Sequence, residues 1–490
     1  MDRQIRRLAL AFLVLFVLVF AQINYIQVFA ASRLANHPAN QRLLLQEYTV
    51  DRGAILARDA RTILAASQPT EGRLKYRREY PEGALYTHVT GYYSVVFGRA
   101  GLEASQNDYL SGRAAELLPQ NLVDEILGRD KRGATVVTTI DPRLQRAAQQ
   151  ALGSLRGGVV ALDPRDGAVL ALVANPSFNP NPLASHNPDR VRRAHRQLVR
   201  DPEKPLLSRA HQELFPPGST FKIVTAAAAL ENGMRPETTF PNPLRLELPN
   251  TREEIENFGG SHCLGGASRI TLAQALQISC NVTFARIGLE LGAEKLVEQA
   301  ERFGFNQQVD LEVPYAEGSI PPAPEFAQAL SFVATSAIGQ QDVRANPMQM
   351  ALVAAAIANR GIQMAPRLVE EIRDPSGRVI RTVDPRELGR SISARTAAEL
   401  TAMMVSVVEA GTGTAAQIPG LRVAGKTGTA EVPGGQPHAW FVSFAPANSP
   451  RIVVAVVVLN GGDLGNEATG GRVAAPIAKA VLEAALGGGA

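Results

Sequence analysis

Three short motifs combine hydroxyl, amine and amide side chains in patterns that suit acyl transfer. They are Ser219-Thr220-Phe221-Lys222, Ser279-Cys280-Asn281 and Lys426-Thr427-Gly428. The first motif places a hydroxyl nucleophile one helical turn before an amine, and the other two add a second hydroxyl, an amide and a second amine. The chain has only 7 lysines, and two of them lie in these motifs. The motifs together predict covalent catalysis through a serine ester.

The sequence around Ser219 predicts that this serine lies at the start of a helix. Pro216-Pro217-Gly218 cannot continue a helix, whereas the apolar residues after Thr220 form a helical segment that stops at Asn232-Gly233. Free N–H groups at a helix start favour developing negative charge. Burial of Lys222 in this segment would lower its pKa, as a general base requires. The alternative for this motif alone is a capping serine and a solvent-directed lysine.

The second and third motifs gain a role only beside the first. Ser279 would relay a proton and Asn281 would hold a substrate amide, although by itself the segment indicates only a polar break in a buried helix. Lys426 follows a strand-like segment, and an edge strand there would pair with an extended peptide. Gly428 would let the substrate approach the backbone, and a charged Lys426 would bind a substrate carboxylate.

Composition argues against several other functions. The net charge is +4 with no basic stripe interleaved with aromatic residues, so no nucleic-acid binding is expected. Two cysteines and seven histidines without ligand spacing predict no metal site, and no cofactor is expected. Residues 420–427 fit the phosphate-loop pattern, but Gly428 and Pro433 follow where that motif needs a helix, which argues against nucleotide binding.

The N-terminus predicts a membrane anchor. Arginines at positions 3, 6 and 7 precede a largely apolar segment, Leu8 to Phe29, that is long enough to span a bilayer as a helix. The arginines favour a cytoplasmic N-terminus, with the rest of the chain outside. A signal peptide cleaved near Val28-Phe29-Ala30 is the alternative, and it leaves the remainder in the same compartment.

The chain divides into three predicted segments. Residues 1–31 form a cytoplasmic stub and anchor, residues 32–155 a polar domain with short strands, and residues 156–490 the main domain. The main domain opens with a predicted hairpin around Asp163–Gly167, becomes mostly helical, and returns to strand patterns after Val423. This order predicts an α/β fold in which helices cover one sheet. Finer expectations are helices over 142–155 and 470–486, a long surface loop over 176–215, and helical segments over 220–310 and 326–362.

At this point the chain resembles the class B penicillin-binding proteins, the monofunctional peptidoglycan D,D-transpeptidases. The order and spacing of the three motifs match, as does their context in Phe215-Pro-Pro-Gly-Ser219 and Gly425-Lys-Thr-Gly-Thr-Ala-Glu431. Arg52-Gly53 and Gly98-x-x-Gly101-Leu-Glu103 resemble the family's pedestal, a dimerisation-like domain. The short pedestal and the cysteine inside Ser-x-Asn look most like the actinobacterial cell-division type. The implied fold is a β-lactamase-like α+β domain with an antiparallel sheet, a β-rich pedestal and one transmembrane helix.

The resemblance also implies residue roles. Ser219 attacks the penultimate D-alanine carbonyl of a stem peptide, and Lys222 accepts the serine proton. Ser279 with Lys426 protonates the leaving amine. The N–H groups of Ser219 and Thr429 form an oxyanion hole, and the donor is positioned by Asn281 and Thr427, with Gly428 in the third motif.

The same resemblance implies partners and a location. β-Lactam antibiotics acylate Ser219, and a SEDS-type glycan polymerase and division proteins work beside the enzyme at the bacterial cytoplasmic membrane, with the catalytic domain outside. The implied process is cell wall synthesis linked to division or cell shape. A D,D-carboxypeptidase and a divisome scaffold are the alternatives. Cys263 and Cys280 lie in the extracytoplasmic part, where a disulfide persists, so either a disulfide or two buried thiols is expected.

Overall fold

A computed structural model describes residues 2–30, 47–119, 126–128, 130–249, 251–326, 330–432 and 434–487. Its helices in chain order, α1 to α14, are Asp2–Tyr25, Thr87–Thr90, Gly101–Ser105, Asn107–Leu110, Pro142–Leu152, Pro188–Arg200, Lys222–Glu231, Leu272–Gln277, Asn281–Arg302, Ala323–Phe326, Leu330–Ser336, Pro347–Ala358, Ala394–Ala410 and Ala475–Leu486. Its strands, β1 to β19, are Ile55–Leu56, Ile63–Pro69, Tyr76–Glu79, Tyr93–Ser94, Gly98–Arg99, Thr135–Thr138, Gly157–Leu162, Val169–Asn175, Thr239–Pro241, Arg245–Glu247, Glu254–Glu256, Arg269–Thr271, Ile362–Met364, Val369–Arg373, Val379–Thr382, Glu387–Arg390, Ala424–Ala430, His438–Ala445 and Ile452–Val458.

Helix α1 carries the predicted membrane anchor. The most apolar 18-residue stretch of the span Arg3–Val28 has a mean hydropathy of 2.3, and none of this stretch is buried against the protein. Within the described residues it is the one helix that is long and apolar enough to cross a bilayer. The expected start of the pedestal at residue 32 lies outside the described residues.

The central sheet has five antiparallel strands in the order β17-β18-β19-β7-β8. Strands β18 and β19 are buried along their whole length, which explains why Ile452–Val458 is a continuous apolar run rather than an alternating one. The predicted hairpin around Asp163–Gly167 is confirmed as β7–β8. Strand β17 lies at the edge of this sheet.

Helices cover both faces of the central sheet. Helix α12 packs on one face and every one of its residues is buried, while α5 and α14 pack on the other. Helix α5 begins as expected, because Asp141 accepts a hydrogen bond from the Arg143 N–H and Pro142 occupies the first helical position. The predicted fold, an antiparallel sheet covered by helices, is confirmed.

A second sheet has the order β15-β14-β6-β1-β2-β3. Its strands β14 and β15 come from residues 369–382, so the pedestal sheet is completed by a segment far along the chain. A buried ionic cluster supports it: the Glu103 carboxylate pairs with Arg52 Nε at 2.7 Å and with Arg78 Nε at 2.5 Å. Gly53 lies against this sheet so tightly that a Cβ would be 1.9 Å from Ala134 O. These contacts give the motif residues Arg52, Gly53 and Glu103 a structural purpose.

Several local predictions were wrong. Residues 239–271 form the strand pairs β9–β12 and β10–β11 instead of helix. The supposed loop 176–215 contains helix α6, whose first turn is capped by the Asn187 side chain. Helix α5 ends at Leu152 rather than at residue 155. The predicted helix over 470–486 is confirmed, although its first part, Gly470–Ala474, is a π-helix that leads directly into α14.

Candidate active site

The nucleophile turn joins a loop to helix α7. Gly218 has φ +53°, and a Cβ there would lie 2.7 Å from Thr429 O, so glycine permits both the conformation and the close approach to β17. Residues Gly218–Phe221 form a 3₁₀ turn, and the α-helix proper starts at Lys222. Ser219 therefore lies one turn earlier than a simple helix start, half-buried and facing a cleft.

Lys222 is fully buried, as the apolar sequence of α7 predicts. Its Nζ donates to Ser279 O at 2.7 Å, to Asn281 Oδ1 at 2.7 Å and to Ser279 Oγ at 3.3 Å. Burial, together with the nearby Lys426 amine, lowers the pKa of Lys222 well below its ordinary value. The amine is thus held by the second motif rather than by Ser219.

The second motif is a sharp turn between α8 and α9. Helix α8 starts with a capping box between Thr271 and Gln274, and α9 starts at Asn281. Between them Ser279 has φ +61°, which is unusual for a residue other than glycine. This conformation directs both the carbonyl and the hydroxyl of Ser279 at the Lys222 amine. Backbone strain of this kind is found at functional sites.

Lys426 is as deeply buried as Lys222, which corrects the expectation of a charged lysine open to substrate. Its Nζ donates to Ser279 Oγ at 2.8 Å and to Thr427 O at 2.9 Å. Burial lowers the pKa of Lys426 from 10.5 to about 7. Ser279 Oγ consequently lies between two buried amines, at 2.8 Å from Lys426 Nζ and 3.3 Å from Lys222 Nζ.

Strand β17 brings the third motif to the cleft. Its residues Thr427 and Thr429 line the cleft, and Thr427 Oγ1 is 2.6 Å from Thr412 Oγ1. A Cβ on Gly428 would lie 2.9 Å from Pro217 O and 2.9 Å from Thr220 Cγ2. Gly428 therefore serves the packing of β17 on the nucleophile turn, a reason that differs from the predicted close approach of substrate.

Asn281 links the base to one wall of the cleft. Its Oδ1 accepts from Lys222 Nζ, and its Nδ2 donates to Glu256 O at 3.0 Å. An amide nitrogen has two N–H groups, so one donor is left for a substrate carbonyl. Next to it, Cys280 is joined to Cys263 by a disulfide with the Cα atoms 6.1 Å apart. The bridge ties the second motif to the loop that forms the wall.

The cleft above Ser219 has a volume of about 1130 Å³. The segment 254–264 and the turn 278–281 form one wall, and Thr427, Thr429 and Glu431, in and directly after strand β17, also line the cleft. The sequence reasoning found Ser279, Asn281 and the two cysteines of this wall but missed the rest of 254–264, and it also missed Thr412 and residues 469–471 of the lining. For residues 469–471 the sequence did offer a signal, the glycine pair Gly470-Gly471. The structure shows why glycine is needed there, because a Cβ at Gly470 would lie 2.0 Å from Trp440 O.

Two buried lysines on either side of Ser279, next to the half-buried Ser219 and the edge strand of an antiparallel sheet, are typical of a class of serine acyltransferases. The chain matches the family model described as the penicillin binding protein transpeptidase domain over residues 157–483, and the penicillin binding protein A dimerisation domain over residues 52–136. It therefore belongs to the penicillin-binding protein transpeptidase family.

Full-length relatives specify the kind of penicillin-binding protein. The chain is 43 % identical to peptidoglycan D,D-transpeptidase PbpA of Mycolicibacterium smegmatis, covering 99 % of each chain. It is 40 % identical to PbpA of Mycobacterium tuberculosis over the whole of both chains. The solved penicillin G acyl-enzyme complex of M. tuberculosis penicillin-binding protein A is 40 % identical with a TM-score of 0.84, covering 89 % of this chain and 100 % of that one. The prediction of a class B penicillin-binding protein of the actinobacterial cell-division type is confirmed.

Proposed function

We propose that the protein cross-links peptidoglycan stem peptides through an acyl-enzyme on Ser219, as a D,D-transpeptidase of cell wall synthesis that β-lactams acylate. The observation that carries this proposal is the hydrogen-bonded series Lys222–Ser279–Lys426 beneath the half-buried Ser219. Ser219 Oγ attacks the penultimate D-alanine carbonyl of the donor, and the terminal D-alanine leaves as an amine. A stem-peptide amine then displaces the serine and completes the cross-link.

Lys222 is the proposed general base. A neutral amine has two N–H groups and one lone pair, and the two shortest bonds, to Ser279 O and Asn281 Oδ1, occupy both N–H groups. The lone pair then remains for the Ser219 proton. Burial and the nearby Lys426 lower the pKa of Lys222, which favours the neutral amine that a general base requires.

Ser279 and Lys426 are proposed to return a proton to the leaving amine. Ser279 Oγ accepts from Lys426 Nζ at 2.8 Å and lies 3.3 Å from Lys222 Nζ, so it can receive a proton from Lys426 while it gives its own to the substrate. A pKa of about 7 for Lys426 suits that exchange. The proposed oxyanion hole is formed by the N–H groups of Ser219 and Thr429.

The remaining assignments concern location and partners. We propose that residues 1–31 anchor the chain by a single span, that 32–155 form the pedestal and that 156–490 form the catalytic domain, all beyond the anchor being extracytoplasmic. A SEDS-type glycan polymerase and division proteins are the proposed partners. Cell fractionation with an antibody tests the anchor, because an anchored chain requires detergent for release.

Labelling with fluorescent penicillin tests the nucleophile. Ser219→Ala should abolish labelling, whereas Ser261→Ala, at another serine lining the same cleft, should retain it. Labelling that persists in the Ser219 variant overturns the assignment. Release of D-alanine without consumption of an added amine acceptor would indicate the alternative, a D,D-carboxypeptidase.

We also propose that Cys263 and Cys280 are oxidised in the mature protein. Their placement on the cleft wall and at the second motif supports this pairing. Alkylation of the unfolded protein without reduction should add no mass, and alkylation after reduction should add two groups. Two labelled thiols before reduction would contradict the bond.

A further inference from the structure

The start of helix α9, in the second motif, needs a hydrogen-bond acceptor from another segment. The helix begins at Asn281, and the N-cap position before it is Cys280, whose sulfur forms the disulfide with Cys263. This position therefore lacks the side-chain oxygen that usually accepts from the N–H groups of a first helical turn. Val282 in that turn is fully buried, so its N–H requires a partner within the protein.

The acceptor is the side chain of Asn257 on the cleft wall. Asn257 directly follows β11, and its Oδ1 accepts a hydrogen bond from the Val282 N–H at 3.1 Å. Its Nδ2 donates to Ser261 O at 3.2 Å, within the same wall. Only 7 % of the residue is exposed. The two ends of this buried amide thus serve different purposes, because the oxygen holds α9 and the nitrogen holds the wall.

This cap acts on the residue that holds the buried Lys222 amine. The N–H of Val282 belongs to the peptide group that joins it to Asn281, and Asn281 Oδ1 accepts from Lys222 Nζ at 2.7 Å. The Nδ2 of Asn281 donates to Glu256 O at 3.0 Å, one residue before Asn257. Two adjacent wall residues therefore hold two adjacent residues of α9. Without the cap, the first turn of α9 is free to rotate and to carry Asn281 Oδ1 away from the amine.

We propose that Asn257 is a positioning residue for acylation, which caps α9 from the cleft wall and thereby keeps Asn281 against Lys222. This inference rests on the function proposed above, because it concerns the amine that accepts the Ser219 proton. Asn257 itself exchanges no proton in this role. Loss of its Oδ1 slows acylation of the folded protein, whereas loss of its Nδ2 alone affects mainly the wall.

The variants Asn257→Ala and Asn257→Asp separate the two ends of the amide. Alanine removes both, whereas aspartate keeps an oxygen that accepts from helix N–H groups and loses the donor to Ser261 O. Acylation of the full-length protein in detergent is followed by stopped flow with fluorescent penicillin and normalised to the fraction that labels at saturation. The comparison is made at pH 8.5, because the added carboxylate favours the charged form of Lys222 at lower pH.

The acylation rate of Asn257→Ala should fall about fivefold, the usual effect of losing an N-cap, and that of Asn257→Asp should stay within about twofold of the wild type. If the alanine variant does not fold, Asn257→Gln replaces it. Glutamine displaces the acceptor oxygen by one methylene group, so this variant should also acylate slowly.

The matched control is Asn242→Ala. Asn242 is also buried, and its Nδ2 donates to Cys263 O at 2.7 Å and to Ala267 O at 2.8 Å, both in the loop before β12. Its replacement should lower the unfolding temperature but leave the normalised acylation rate within about twofold of the wild type.

Three outcomes overturn the inference and leave the transpeptidase proposal standing. They are a wild-type rate without the cap, an Asn257→Asp rate as low as that of Asn257→Ala, and equal slowing by Asn242→Ala. The wild-type protein provides the reference for the proposed function, since absence of any acylation there overturns the transpeptidase proposal itself.

Discussion

Replacing Lys426 by methionine should stabilise the protein while it removes acylation. The Lys426 side chain is fully buried, and burial lowers its pKa from 10.5 to about 7. The folded protein must therefore either neutralise this amine or bury an ammonium, and both cost free energy relative to the solvated lysine of the unfolded chain. Methionine has a similar length and no charge, so it avoids that cost.

The magnitude follows from the two opposing effects. A difference of 10.5 against about 7 corresponds to roughly 5 kcal/mol at 1.36 kcal/mol for each pKa unit. The variant loses the hydrogen bonds from Nζ to Ser279 Oγ and Thr427 O, each worth about 1 kcal/mol. Removal of the charge outweighs the lost bonds, and the expected net gain is about 3 kcal/mol near neutral pH.

The pH dependence gives this prediction a distinctive signature. Because the pKa of Lys426 is lower in the folded state, the unfolded chain binds more protons between pH 7 and 10.5, and wild-type stability rises with pH in that window. The penalty of the buried lysine is complete below pH 7 and vanishes as pH approaches 10.5. The advantage of Lys426→Met should therefore be largest at pH 6.5 and much smaller at pH 9.

Thermal and urea unfolding of both proteins at pH 6.5, 7.5 and 9 measures this effect, with penicillin labelling as the activity readout. Lys479→Met is the control, because Lys479 lies on the surface of α14 and its replacement should change stability by less than about 0.5 kcal/mol. A Lys426 variant less stable than wild type at pH 6.5, or a gain independent of pH, would refute the reasoning.

Two further substitutions test the packing that holds the site. Gly428→Ala places a methyl group 2.9 Å from Pro217 O, so β17 must move away from the nucleophile turn. Because a misplacement of about 1 Å is enough to slow a reaction strongly, penicillin acylation measured by stopped flow should slow at least about tenfold. An unchanged acylation rate would contradict this. Glu103→Ala leaves the buried guanidinium groups of Arg52 and Arg78 unpaired, and urea unfolding should show a loss of about 3–5 kcal/mol. Burial raises the pKa of Glu103, but Arg78 and Arg52 outweigh it and lower the pKa overall; the stabilising effect should thus be present above about pH 4.3 and disappear as pH falls further.

Much of the fold could be predicted from the sequence because helix starts, turns and apolar runs agreed with the tertiary structure. The Asp141-Pro142 start of α5, the turn between β7 and β8 and the apolar run of α1 each form what their sequences favour. Residues 239–271 were predicted to be helical because strands of three residues are too short to show a two-residue periodicity in the sequence. Their pairing also depends on partner residues up to about thirty positions away. Helix α6 was missed although Asn187-Pro188 is a recognisable helix start.

The three motifs were found from sequence, but their mutual arrangement was not. A strand edge beside glycine suggested an accessible, charged Lys426, and nothing local revealed that the turn at Ser279 covers its amine. In that turn Ser279 has φ +61°, a conformation that a serine residue does not predict. The packing of α8 and α9 imposes it. Burial of Lys426 is accordingly a tertiary property.

The two buried lysines explain each other's state. Both amines lie close to Ser279 Oγ, Lys222 Nζ at 3.3 Å and Lys426 Nζ at 2.8 Å, and two ammonium groups this close in a buried cluster would repel each other. The pair therefore titrates as a unit in which the second proton binds weakly. Burial and the Lys426 amine lower the pKa of Lys222, which leaves Lys222 as the amine that is free to take the Ser219 proton. In the mechanism proposed above, protonation of Lys222 brings this repulsion into play, and the repulsion would favour transfer of a proton through Ser279 to the leaving amine.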